Sequence, residues 1–150
     1  LIPAMRILLL SSSQEAGRDG VGDYVRALAG ACLHRGHSCA IVALHDPYVQ
    51  KAVESTETVQ DGSISVLRLP RTLAWPERLK SARSFITTYQ PDWISLQFVA
   101  YGFNERGLMF RLNRGLGQLI SGFRLHFMFH EIWLGATRPA SLRHLLTGPI

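Results

Sequence analysis

Lysine is nearly missing from this chain. Of its 16 basic residues only Lys51 and Lys80 are not arginine, so the net charge of +5 rests on planar guanidinium forks suited to phosphate or carboxylate. The arginines are scattered from Arg6 to Arg143, with no basic stripe and no stacking-aromatic module among them, which argues against nucleic acid as a partner. Cysteine is equally scarce. Cys32 and Cys39 are each flanked by apolar residues and lack metal-ligand spacing, so they read as small core residues of a reducing compartment rather than as a disulfide. No apolar run reaches the roughly 18 to 20 residues of a membrane span, and the stretch from Leu1 to Leu10 has neither a long apolar core nor a small-residue cleavage site. A cytoplasmic location is therefore expected. A Gly-Lys-Ser/Thr sequence is absent, which excludes a Walker-type nucleotide site. So is a Gly-x-Ser-x-Gly elbow, which leaves Ser11, Ser12 and Ser13 without a defensible triad and with hydrogen bonding in a loop as their expected use.

What is present is concentrated at the start. An apolar strand, Arg6 to Leu10, runs into a polar loop from Ser11 to Arg18, and Asp19-Gly20-Val21-Gly22-Asp23-Tyr24 then opens an amphipathic helix. Val21, Val25, Leu28, Ala29, Cys32 and Leu33 recur at spacings of three and four and form its apolar stripe. The helix closes at Arg35-Gly36-His37, and a second apolar strand, Ser38 to Leu44, completes a βαβ unit. Amides at a helix start have no acceptor within the helix, and the dipole adds positive charge there, so anions settle at such a place. Glycines at 20 and 22 omit the Cβ atoms that would hold a ligand's oxygens away. The phosphate-binding candidates are therefore Gly20, Val21 and Gly22. Arg18 and Asp19 flank them as candidates for substrate contact.

Further along, Asp46-Pro47 marks a loop, and the polar, weakly patterned residues up to Gly62 read as a short helix and a turn at Asp61-Gly62. Ser63 to Leu69 alternates as a strand with one covered face, and Pro70 stops it. A helix is expected from Pro76 to about Tyr89, ended by Gln90-Pro91-Asp92, followed by a strand from Trp93 to Phe98 and a loop through Tyr101-Gly102-Phe103. The remainder reads as a helix over 108–120, a strand over 123–129 and a last helix over 140–146. This alternation predicts an α/β fold: a Rossmann-like, doubly wound parallel sheet with ligands at the C-terminal strand ends.

At that edge the glycine loop, the segment from Gln97 to Phe103, and His130-Glu131-Ile132-Trp133 would line one cleft. Gln97, Tyr101 and Glu131 join the contact candidates. His130, at a strand's C-terminal end, is the candidate catalytic residue, a neutral imidazole able to hydrogen-bond a substrate hydroxyl or support charge. Trp133 could offer a stacking face. His126 and His130 share a strand face but stand roughly 13 Å apart, too far for one ion, so no metal is expected. A competing reading is an NAD(P)- or FAD-type dinucleotide domain, in which Gly20-x-Gly22-x-x-Val25 supplies two of three glycines and Asp46 would meet a ribose. Against it, Val25 stands where Gly or Ala should allow close packing, and the loop from Ser11 to Asp19 is long for that fingerprint. A third reading is non-catalytic: Phe98, Tyr101, Phe103 and Leu108-Met109-Phe110 with Arg106, Arg111 and Arg114 as a surface for an anionic lipid or a partner protein.

The order strand, Gly-Val-Gly-Asp-Tyr-Val, a helix ending in Arg-Gly-His, then Pro91-Asp92-Trp93-Ile94-Ser95-Leu96-Gln97, then Phe129-His130-Glu131, resembles the N-terminal half of retaining GT-B glycosyltransferases of the glycosyltransferase 4 type. That resemblance spans nearly the whole chain. It implies that residues 1–150 form an acceptor-side Rossmann-like domain, itself incomplete, whose donor-binding partner domain lies outside this sequence. It further implies a nucleotide-sugar donor (UDP- or GDP-sugar) as substrate with no permanently bound cofactor, a sugar or lipid-linked acceptor, and action in the cytoplasm with peripheral contact at the inner face of the membrane. Gly20, Val21 and Gly22 would approach the donor diphosphate, and His130 would lie near the transferred sugar or the acceptor. Alone, the chain is expected to be inactive, since half the transition-state contacts would be missing.

Overall fold

The computed structural model of the chain describes residues 3–59, 62–103 and 110–131. Their elements run β1 (Arg6–Ser11), α1 (Gly20–His34), β2 (Ser38–Asp46), β3 (Val53–Val59), β4 (Gly62–Pro70), α2 (Trp75–Tyr89), β5 (Trp93–Phe98), α3 (Ala100–Phe103), α4 (Phe110–Ile120) and β6 (Arg124–Phe129). They build an α/β protein with one six-stranded sheet in the order β3-β4-β2-β1-β5-β6, an arrangement compatible with a Rossmann-like fold. Every neighbouring pair is parallel except β3 with β4.

The sheet is central because its middle strands carry apolar residues on both faces. Leu8, Leu9 and Leu10 of β1 and the run from Ala40 to Leu44 of β2 are essentially sealed from solvent, as parallel strands covered on both sides must be. Alternation then sorts the faces. Leu8, Leu10, Val42, Ile94 and Leu96 pack with Ala82 and Ile86 of α2 and Leu116, Leu119 and Ile120 of α4, whereas Leu9, Ile41, Ile64 and Val66 pack with Val25 and Ala29 of α1. Helices thus cover opposite faces, and every parallel strand delivers its C-terminal end to one edge. That edge carries the candidate site.

Two segments differ from the sequence-based expectation. Residues 53–59 form an antiparallel edge strand rather than a short helix, with Val59 paired to Gly62. Its inward positions include Ser55 and Glu57, which hide the usual apolar alternation. Glu57 is tolerated on that side because it pairs with Arg26 of α1 at 3.1 Å. Tyr101-Gly102-Phe103, expected as loop, belongs to the single helical turn α3. The expected helix over 140–146 and Trp133 lie outside the described residues, as do Arg106, Leu108 and Met109.

Burial also sets the alkaline limit of the fold. The Cys39 thiol is pushed up from 9.0 to about 12, mainly by burial and further by the adjacent Cys32 thiol. Burial likewise raises the Tyr89 hydroxyl from 10.0 to about 12. Above their ordinary values the unfolded chain releases these protons while the folded chain keeps them, so the stabilisation is complete below about pH 9 and is lost as the pH climbs through about 12. The thermal midpoint should therefore fall across that window, and Cys39→Ala should make the fall shallower. A midpoint flat from pH 9 to pH 12 would contradict this account.

Candidate functional site

The loop between β1 and α1 is built inward first. Ser11, Ser12, Ser13 and Gln14 are all buried, and the Gln14 amide side chain donates to Ser11 Oγ at 2.9 Å. Hydrogen bonding within the loop is thus what the serines are seen to do. Asp19 caps α1: its carboxylate accepts from the Val21 amide at 3.0 Å and from the Ser13 hydroxyl. Val21's amide is therefore already occupied, a limit on the anion-binding expectation, which leaves Gly20 and Gly22 as first-turn amides without a backbone acceptor among the described residues. The two glycines play different parts. A Cβ on Gly22 would sit 3.2 Å from the Ser13 carbonyl oxygen, so this glycine lets the helix press against the loop; a Cβ on Gly20, an exposed residue, would meet nothing within 4 Å.

Asp46, at the end of β2, fixes the rest of this mouth. Fully buried, it accepts from the Gln14 amide at 3.2 Å, the Tyr48 amide at 2.9 Å and Arg68 Nε at 2.8 Å, while Arg68 also reaches Glu15 at 2.6 Å. The ribose role considered for Asp46 is thereby corrected: a carboxylate with no exposed surface and three donors has no capacity for a ligand.

Above this anchor a cavity of about 240 Å³ opens at the C-terminal edge of the sheet. Arg18, Asp19 and Val21 approach it from the glycine loop and the start of α1, His45 from β2, Tyr48 from just beyond it, Arg71 from beyond β4, and Tyr101 from α3. Four residues singled out from sequence, Arg18, Asp19, Val21 and Tyr101, therefore share one wall. Gly102 makes that wall possible, since a Cβ there would fall 2.5 Å from Ser12 Oγ.

On the other side of the α1 start lies a polar chain across β5 and β6. His130 Nε2 meets Gln97 Oε1 at 3.1 Å, Gln97 Nε2 donates to Ser95 Oγ at 2.7 Å, and Ser95 Oγ meets His126 Nδ1 at 2.8 Å. An amide oxygen only accepts, so His130 Nε2 must carry hydrogen, and in the neutral ring Nδ1 keeps a lone pair for a substrate hydroxyl. Tyr24 of α1 stands edge-on against this ring with centroids 5.0 Å apart. The start of α1 and the strand-end imidazole are thus neighbours. Glu131 is exposed beside them. The spacing that separates His126 from His130 places each against a different β5 partner.

Sequence reasoning missed Ser12, His45, Tyr48 and Arg71 as cavity residues, and Tyr24 and Ser95 as neighbours of the histidines. Only a strand-end rule could have pointed to His45 and Arg71, which follow their strands' last apolar residues. The proposed aromatic surface fails at its core: Phe98 and Phe103 are buried and stacked on each other, with centroids 6.1 Å apart. No family model and no curated protein matches the chain.

The two glycines can be separated experimentally. Overpacking at Gly22 costs about 1–3 kcal/mol against a gain of up to about 1 kcal/mol in helix propensity. Gly22→Ala should therefore lower stability by about 1 kcal/mol in urea denaturation, whereas Gly20→Ala should leave it equal or higher. Equal losses at both positions would mean that Gly20 is packed rather than open.

Proposed function

We propose that this chain is the acceptor-side domain of a retaining GT-B glycosyltransferase of the glycosyltransferase 4 type, acting with a donor-binding domain on a UDP- or GDP-sugar and a sugar or lipid-linked acceptor at the cytoplasmic face of a membrane. The single observation that supports the reading is the contact of Tyr24 with His130, which brings the first turns of the glycine-led helix next to an oriented imidazole. In transfer, the bond from the anomeric carbon to the diphosphate breaks, a bond from that carbon to an acceptor oxygen forms, and the leaving group takes the electron pair. The amides of Gly20 and Gly22 with the helix dipole would stabilise that developing charge. Asp19 carries the wrong sign for this role. Its charge is held by Ser13 and Val21, and the neighbouring Arg18 supplies the opposite sign. His130, fixed by Gln97, would accept from a hydroxyl of the transferred sugar through Nδ1.

The dinucleotide alternative loses support because Asp46, the acid it would need, is consumed by Arg68 and two amides. Titration of the isotopically labelled chain distinguishes the two. UDP or GDP at millimolar concentration should shift the amide signals of Gly20, Gly22, Tyr24 and His130, and NADH should not. Joined to its donor domain, His130→Ala should lower kcat by at least about 100-fold with the fold intact, the range of a lost acid–base or polar contact. Shifts with NADH alone, or wild-type turnover by the variant, would defeat the proposal.

A further inference from the structure

The contact of Gln97 with His130 leaves one thing undetermined: which way the glutamine amide faces. Its side chain, 1% exposed, is an inner link of the chain His130–Gln97–Ser95–His126. A half-turn of the terminal amide exchanges oxygen and nitrogen within the same space, so shape does not fix the orientation. The Ser95 hydroxyl, itself 5% exposed, does not fix it either, because it can donate as readily as accept. The choice therefore passes to the far end. As the chain stands, His130 Nε2 donates to Gln97 Oε1, Gln97 Nε2 donates to Ser95 Oγ at 2.7 Å, and the one hydroxyl hydrogen of Ser95 is left for His126 Nδ1 at 2.8 Å. Every donor points the same way. If the group at position 126 donated instead, Ser95 would turn its hydrogen to Gln97, the amide would reverse, and its nitrogen would donate to a lone pair on His130 Nε2. The neutral ring would then carry its hydrogen on Nδ1 and could no longer accept a bond there.

We propose that His126 and Ser95 are positioning residues for His130, selecting through Gln97 which of its ring nitrogens accepts. The polarity of the chain rests on these hydrogen bonds alone; its bearing on turnover rests on the transferase reading above. Few other groups compete for control. Strand β5 contributes no ionisable side chain, and Arg124, on the same face of β6 as His126, lies over the Trp93 ring at 5.9 Å. Tyr24 meets His130 through its ring edge, and Glu131 follows it in the chain. Among the described residues no ionised carboxylate or guanidinium hydrogen-bonds to Ser95 or Gln97.

The test reads the ring-nitrogen signals of isotopically labelled histidine in the 150-residue chain, at a pH where both imidazoles are neutral. In the wild type both rings should carry hydrogen on Nε2. Position 126 is exposed, so substitutions there leave the core intact. His126→Lys, which can only donate, should move the His130 hydrogen predominantly to Nδ1, and His126→Asp, which can only accept, should keep it on Nε2. In Ser95→Ala, where the chain is cut, adding His126→Lys should no longer change the His130 signals. The same His130 nitrogen protonated in the wild type and in His126→Lys, or a change that survives Ser95→Ala, would overturn the proposal. A wrong histidine tautomer alone can lower kcat by up to about 10⁴-fold. With the donor domain joined, kcat should therefore be at least about tenfold lower in His126→Lys than in His126→Asp. Signals that move as described with kcat equal in the two variants would leave the chain's polarity standing and defeat the role given to His130. Unmoved signals with an inactive His130→Ala would do the reverse, so the two failures are distinguishable.

Discussion

The mouth of this sheet hangs on one buried carboxylate. Asp46 gathers the amide of Gln14, the amide of Tyr48 and the guanidinium of Arg68, and so ties the loop after β1, the exit of β2 and the last residues of β4 to a single point. A charged group with no solvent contact is tolerable only when its acceptor capacity is met, and truncating one member of such a pair typically costs about 3–5 kcal/mol. The Arg71 amide donates to the Asp46 carbonyl at 3.0 Å and the His45 amide to the Ser12 carbonyl at 2.8 Å, which extends the same tie through the backbone. The open cavity keeps its shape because the polar groups beneath it are spoken for.

Around that anchor the charges divide in an orderly way. Acidic groups in the loop are consumed internally: Asp19 by the helix cap, Asp46 and Glu15 by Arg68, and Asp23 by the Gly17 amide at 3.0 Å. Arg78, by contrast, donates to the Leu44 carbonyl and meets the His45 ring, with no carboxylate partner among the described residues.

How much of this was legible in the sequence depends on which physical signal each residue carries. The apolar runs of β1 and β2 and the spacing of three and four in α1 announced themselves, since burial on a sheet demands them. The edge strand β3 did not: it has one partner, its outward side is solvated, and its inward Glu57 is rescued by an arginine 31 positions away that no local pattern reveals. Gly20 and Gly22 looked alike in sequence, yet one faces space and the other a carbonyl, a distinction made by the path of the preceding loop. His130 was recognisable from its place at a strand end, whereas the bond that orients it depends on the register between β5 and β6. Asp46 read as a turn residue because its partners lie at positions 14, 48 and 68.

That register has an architectural consequence. Gln97 and His130 are joined through adjacent strands whose ladder continues to Phe98 and Phe129, with the His130 amide donating to the Phe98 carbonyl at 3.1 Å. Their relative geometry is dictated by hydrogen-bonded backbone and not by the crossover that links them. Lengthening, shortening or rewriting that connection leaves the imidazole and its amide partner where they are, provided the two strands still pair. The hydrogen bond between the Gln97 amide and the His130 ring is thus secured by the β5–β6 ladder and not by the segment that connects the two strands.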